Sequence, residues 1–135
     1  MTFSTDLITQ LIEYINKDEI LSKLGKAIRA YDTEGLPVPI RETYFSFSCK
    51  ENSVSLVSSE DGERAQENKI IIRMNCFSPL KKSAYSAHSL AEKVTAGLSE
   101  SFSETVSAFS VGDTQYDDDV KSYKITALIT FCFSA

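Results

Sequence analysis

Catalysis by this chain would have to be built around His88, the one histidine among 135 residues. A nucleophilic dyad needs a thiol or hydroxyl within hydrogen-bond reach of the imidazole. Cys49, Cys76 or a serine could serve, but none stands in a local motif with the histidine, which lies in Ser83-Ala-Tyr-Ser-Ala-His88. The residues read as an ordinary histidine on a helix surface. A small enzyme using His88 with a cysteine or serine is the alternative.

The acidic clusters raise the question of a metal. Asp117-Asp118-Asp119 could offer carboxylate oxygens to a hard cation, yet it lacks the regular spacing and distal Glu of a calcium loop. Three acids between two strands read instead as a solvated turn. Glu60, Asp61 and Glu63 receive the same reading. Gly25, Gly35, Gly62, Gly97 and Gly112 are scattered and form no phosphate-cradling motif. Three widely spaced cysteines fit neither a disulfide framework nor a zinc knuckle. They read as buried thiols acting as small hydrophobes, in a reducing cytosol. No catalytic, metal or cofactor site is expected.

Binding classes are bounded by charge and hydropathy. The net charge is −5, and no run of Lys or Arg exceeds the pair Lys81-Lys82. That speaks against a general nucleic-acid binder, which attracts phosphates through a basic patch. A base-stacking sheet would need basic residues around its aromatics, and the sequence offers mainly Arg41, Lys50 and Arg73. Phe45, Phe47, Phe77, Phe131 and Phe133 therefore read as core or interface. No segment approaches the ~18 consecutive apolar residues of a membrane helix. The first residues, MTFSTDLITQLIEYINKDE, have no basic region or small-residue cleavage site and read as an amphipathic helix rather than a signal peptide.

The elements that hold these residues follow from periodicity. Residues 5–17 carry a helical stripe of Leu7, Leu11, Tyr14 and Ile15 beside Ile8 and Ile12, with Ser4 or Thr5 as cap. Residues 26–31 read as a strand, a helical continuation being the alternative. Prolines then force an extended connection over 32–39. Residues 41–50 alternate, with Phe45, Phe47 and Cys49 on one face and Tyr44, Ser46 and Ser48 on the other. Residues 54–57 read as a short partner strand, and polar 58–68 as an exposed loop or hairpin tip. Residues 69–77 form the clearest strand, with Ile70, Ile72, Met74 and Cys76 on one face.

A helix is predicted over 82–101, with Ala84, Ala87, Leu90, Ala91, Val94 and Leu98 on its apolar side. Two strands close the chain, 106–116 and 121–133. A last strand of that length is either central or made to pair with another chain. The expectation is one α+β domain over 1–135. It has a mostly antiparallel sheet of four to six strands and two helices packed on it, in the order α-β-β-β-α-β-β.

Three stretches carry a family likeness. They are Ile70-Ile-Ile-Arg-Met-Asn-Cys-Phe-Ser-Pro79, the helix Ser89-Leu-Ala-Glu-Lys-Val-Thr-Ala-Gly-Leu98, and the closing hairpin from Phe109-Ser-Val-Gly-Asp-Thr-Gln-Tyr116 to Tyr123-Lys-Ile-Thr-Ala-Leu-Ile-Thr-Phe131. Together they resemble phage and prophage tail-terminator, or tail-completion, proteins over roughly residues 7–133. The resemblance implies a structural subunit and no enzyme. Copies of it form a ring, commonly a hexamer, that caps the tail tube and joins it to the head. Tail-tube and neck proteins are the implied partners, without cofactor, membrane or sequence-specific nucleic acid. The implied location is the host cytoplasm and then the virion or phage-like particle. By the same resemblance the polar loop projects and meets a neighbouring subunit through Ser58, Glu60, Asp61, Glu63, Arg64 and Glu67. A small adaptor that binds a partner by strand addition is the alternative.

Overall fold

The computed structural model describes residues 3–29, 38–58 and 64–134. Helix α1 (Phe3–Lys17) buries Leu7, Ile8, Leu11 and Ile15, the stripe its periodicity predicts. Asp18 ends it. One carboxylate oxygen accepts the N–H groups of Ile20 and Leu21, both at 2.9 Å, and starts the 3-10 turn Leu21–Lys23. Gly25 then lets the chain pass into strand β1 (Lys26–Arg29). A Cβ at Gly25 would stand 2.7 Å from Phe45 Cε2 and 2.9 Å from the Thr43 carbonyl oxygen. A side chain there would push β1 off its neighbour.

Strands β2 (Tyr44–Ser58) and β3 (Arg64–Pro79) form one long antiparallel hairpin, paired from Tyr44↔Phe77 out to Ser58↔Arg64. Two expectations are corrected here. Residues 54–57 are no separate partner strand but the continuation of β2 past a bulge between Cys49 and Glu51. Most of 58–68 is no loop either, since β3 begins at Arg64. Ladder hydrogen bonds need only backbone groups, so a polar run pairs as well as an apolar one. Residues 59–63 lie outside the described residues.

Helix α2 (Ala84–Ser101) is capped by Ser83, whose hydroxyl accepts the Ser86 N–H at 3.0 Å. The expected strand over 106–116 is divided into β4 (Val106–Val111) and β5 (Gln115–Asp117). Gly112 still donates its N–H to the Thr126 carbonyl at 2.9 Å, after which the chain leaves the ladder and Thr114 approaches Ala84 of α2. Strand β6 (Ser122–Ser134) closes the fold.

The six-stranded sheet has the order β1-β2-β3-β6-β4, with β5 also on β6. Every neighbouring pair is antiparallel except β1–β2. The architecture is the expected α+β one, and β6 is central. Both helices cover one face. Phe45, Phe47, Ile70, Ile72, Met74, Ile125, Ala127, Ile129 and Phe131 meet Leu11, Ile15, Ala87, Ala91, Val94 and Leu98 there. The alanines of α2 bring it close to the strands. Tyr14, Phe102 and Phe131 stack edge to face in series, with centroids 5.6 and 6.3 Å apart, tying both helices to β6. No described helix is long and apolar enough to cross a membrane.

Candidate functional site

His88 lies on α2 with its side chain about one-third exposed. Its Nε2 stands 2.7 Å from Oε1 of Glu92, one turn on. This is an i,i+4 pair on a helix surface. The partner is a carboxylate, which orients a ring, and not a thiol or hydroxyl that the ring could activate.

The cysteines occupy three different environments. Cys76 is fully buried, and burial pushes its thiol up to about 12, against a smaller opposite pull from Lys82. Cys132 is half-buried and sits 3.5 Å from the Ser107 hydroxyl. Cys49 is exposed, which corrects the expectation of three buried thiols. It has the core-facing parity of Phe45 and Phe47, but it lies past the last described pair of β1, which flanks β2 only as far as Phe47.

Asp117, Asp118 and Asp119 build the β5–β6 turn. Asp117 Oδ1 accepts the N–H groups of Asp119 and Val120, at 3.0 and 3.4 Å. Asp118 pairs with Lys121 at 2.6 Å. That hydrogen bond and charge hold the Asp118 carboxyl below, and the Lys121 ammonium above, their usual ranges. Among the described residues no three His, Cys, Asp or Glu side chains converge as metal ligands do.

The feature most unlike a closed core is the far half of the β2–β3 hairpin. Ile70 is buried, but its cross-strand partner Asn52 is exposed, as are Glu51, Ser53 and Val54. Beyond this pair the strands continue through Ser53↔Lys69 to Ser58↔Arg64, an arm about 20 Å long. Strand β6 supports one side of it as far as Ser134↔Glu67. On the other side β1 stops at Phe47, and among the described residues no strand lies beside 48–58.

The predicted contact residues fall at the end of this arm. Ser58 and Arg64 are its last described pair, and Glu67 lies opposite Ser55. Glu60, Asp61 and Glu63 lie outside the described residues.

The sequence reading missed the exposed stretch 51–54 and the residue that guards the near half of the same edge. Asn16 of α1 donates to the Ala27 carbonyl at 3.1 Å and accepts the Ala27 N–H at 3.0 Å. A side-chain amide thus replaces a neighbouring strand. Val54, an exposed apolar residue among Ser53, Ser55 and Asn52, was the one available sign of the arm. On the opposite edge, Phe109 of β4 and Tyr116 of β5 are each about half exposed, at 51% and 52%. No protein-family model matches the chain, and no curated protein is significantly similar to it.

Proposed function

We propose that this chain is a structural subunit of the phage or prophage tail-terminator type, assembling with copies of itself into a ring at the end of a tail tube, where it meets neck proteins. The observation that carries the reading is the arm, three-stranded as far as Glu67 and two-stranded beyond it, that continues past the helix-covered core. Where its side chains are described, Glu51, Asn52, Ser53, Val54 and Lys69 are exposed, so this stretch adds little to a core of its own. Among the described residues no strand pairs with β2 over 48–58 on that side, and an open edge of that length is a hazard to a protein that works alone and an asset to one that assembles. The two sheet edges also differ. One ends in the arm and the other presents Phe109 and Tyr116. Contacts between unlike surfaces are heterologous, and heterologous contacts form rings where the rotation between copies closes and open filaments where it does not.

In this reading the protein is no enzyme and needs no cofactor. It is made in the bacterial cytoplasm and ends in the particle. The test is light scattering at high concentration, alone and with the tail-tube protein encoded in the same genome. A ring, or a stable complex with the tube protein, is the expected result. A strict monomer that never binds the tube protein refutes the proposal. A second reading, an adaptor that takes a partner's strand, is favoured by the same edge over 48–58, which has no partner strand among the described residues. It predicts binding of an extended peptide at 1:1 without self-association.

A further inference from the structure

The near end of the sheet holds a hollow of about 350 Å³ whose lining is strongly basic. Lys23 comes from the 3-10 turn, Lys26 from the start of β1, Arg41 from the segment before β2, and Lys81 and Lys82 from the exit of β3. Glu42 is its one acid. No described carboxylate forms an ion pair with any of these five cations. Thr43, also in the lining, is 94% buried and its hydroxyl has no hydrogen-bond partner. A protein of net charge −5 with fourteen Lys and Arg has thus gathered five of them in one place. Like charges repel, so such a cluster is retained at a cost unless an anion neutralises it. The sequence hid it, because its members are spread from residue 23 to residue 82.

The opposite end of the same strands has the opposite charge. Residues 59–63 join Ser58 to Arg64 and include Glu60, Asp61 and Glu63. The hollow lies beside Thr43 and Pro79, at the other end of β2 and β3. A 15-residue strand separates the two, about 50 Å of extended chain. One copy therefore cannot place its own acidic segment in its own hollow, but a second copy can. Extended nucleic acid fits less well, because these cations line a compact hollow rather than a stripe.

Resting on the assembly reading above, we infer that the basic hollow receives the acidic hairpin end of the next copy, pairing carboxylates of 59–63 with Arg41, Lys81 and their neighbours. Each subunit then gives at one end and receives at the other, the head-to-tail arrangement that a ring requires. Arg41 can hold a carboxylate through two parallel hydrogen bonds, while the lysines act as point charges.

The experiment uses two full-length charge-reversed proteins. One carries Arg41→Glu, Lys81→Glu and Lys82→Glu, which makes the hollow acidic; the other carries Glu60→Lys, Asp61→Lys and Glu63→Lys. Sedimentation velocity compares each alone, and the two mixed, with the unaltered protein at low and high salt. The unaltered protein should assemble more tightly at low salt. Each reversed protein alone should assemble at least about tenfold more weakly. Their equimolar mixture should recover assembly, because each reversed end meets a hollow of opposite sign. That recovery also shows that both variants are folded.

If the unaltered protein assembles and charge reversal leaves it unchanged, the docking inference is wrong and the assembly reading stands. Loss in both variants without recovery on mixing overturns the inference too. An unaltered protein that stays monomeric, with and without tube protein, overturns both. Inorganic phosphate bound in the hollow, with self-association unaffected by charge reversal, would make it an anion site of another kind and reject the docking.

Discussion

Asn16 clamps Ala27. Its side-chain amide donates to the Ala27 carbonyl and accepts the Ala27 N–H, reproducing the pattern of a paired strand. Asn16→Ala removes both bonds and leaves two backbone groups of β1 to find water. The expected cost is about 1–3 kcal/mol in denaturant unfolding. The variant should also precipitate at a lower concentration than the parent, because a short edge strand becomes available for pairing.

Two glycines should respond to alanine in opposite ways. Gly25→Ala puts a methyl group against the Phe45 ring and the Thr43 carbonyl. Part of that contact is backbone, which cannot give way cheaply, so a loss of about 1–3 kcal/mol is expected. Gly97→Ala meets only Leu21 Cδ2, at an ordinary 3.7 Å. It should stabilise α2 by about 0.5–1 kcal/mol. Thermal melts of the two variants give the signs directly.

The thiols should be distinguishable by labelling. In the folded protein an alkylating reagent should modify Cys49 fastest, Cys132 more slowly and Cys76 only after denaturation. Equal reactivity of all three would contradict the burial of Cys76.

Cys76 also carries a pH signature. Burial raises its pKa from 9.0 to about 12, so the folded state favours the neutral thiol. Its contribution is fully present below pH 9 and is lost as pH rises from there towards 12. The slope approaches about 1.4 kcal/mol per pH unit once the unfolded thiol is ionised. Tyrosines and lysines titrate in the same range, so the measurement is the difference between the parent and Cys76→Ala. Unfolding free energy should fall more steeply above pH 9 in the parent.

Val54→Asp addresses the arm. Val54 is 57% exposed, so the substitution should change stability by less than about 0.5 kcal/mol. Under the assembly proposal it should weaken self-association or tube binding measured by light scattering. An unchanged association state would remove Val54 from the contact surface.

The sequence was most readable where burial imposes a period. The stripe Leu7, Leu11, Ile15 and the alternations through Phe45–Phe47 and Ile70–Cys76 all stand where periodicity put them. It was least readable where water lies on both sides of a strand. From Glu51 to Val54 neither face is covered, so no alternation survives and only backbone pairing defines the structure. The parallel pairing of β1 with β2 was equally hidden, because it depends on Asn16, Gly25 and their contacts across the fold. The basic hollow was illegible for a third reason. Its five cations come from separate elements, and only topology unites them.

The unbroken ladder between β3 and β6 has a mechanical consequence. The two strands stay in register from Pro79↔Ser122 to Glu67↔Ser134. No loop interrupts them between the core and the arm, so the arm has no hinge. To swing, it would have to break several backbone hydrogen bonds at once. It behaves as a beam clamped at one end, whose reach and direction are fixed by sheet twist and by the bulge near Lys50. A partner therefore meets a shape that already exists, with little ordering entropy left to lose on contact. A load applied at its far end is passed along β2 and β3, joined from Glu67 onward by β6, into the layer held by Phe131, Phe102 and Tyr14.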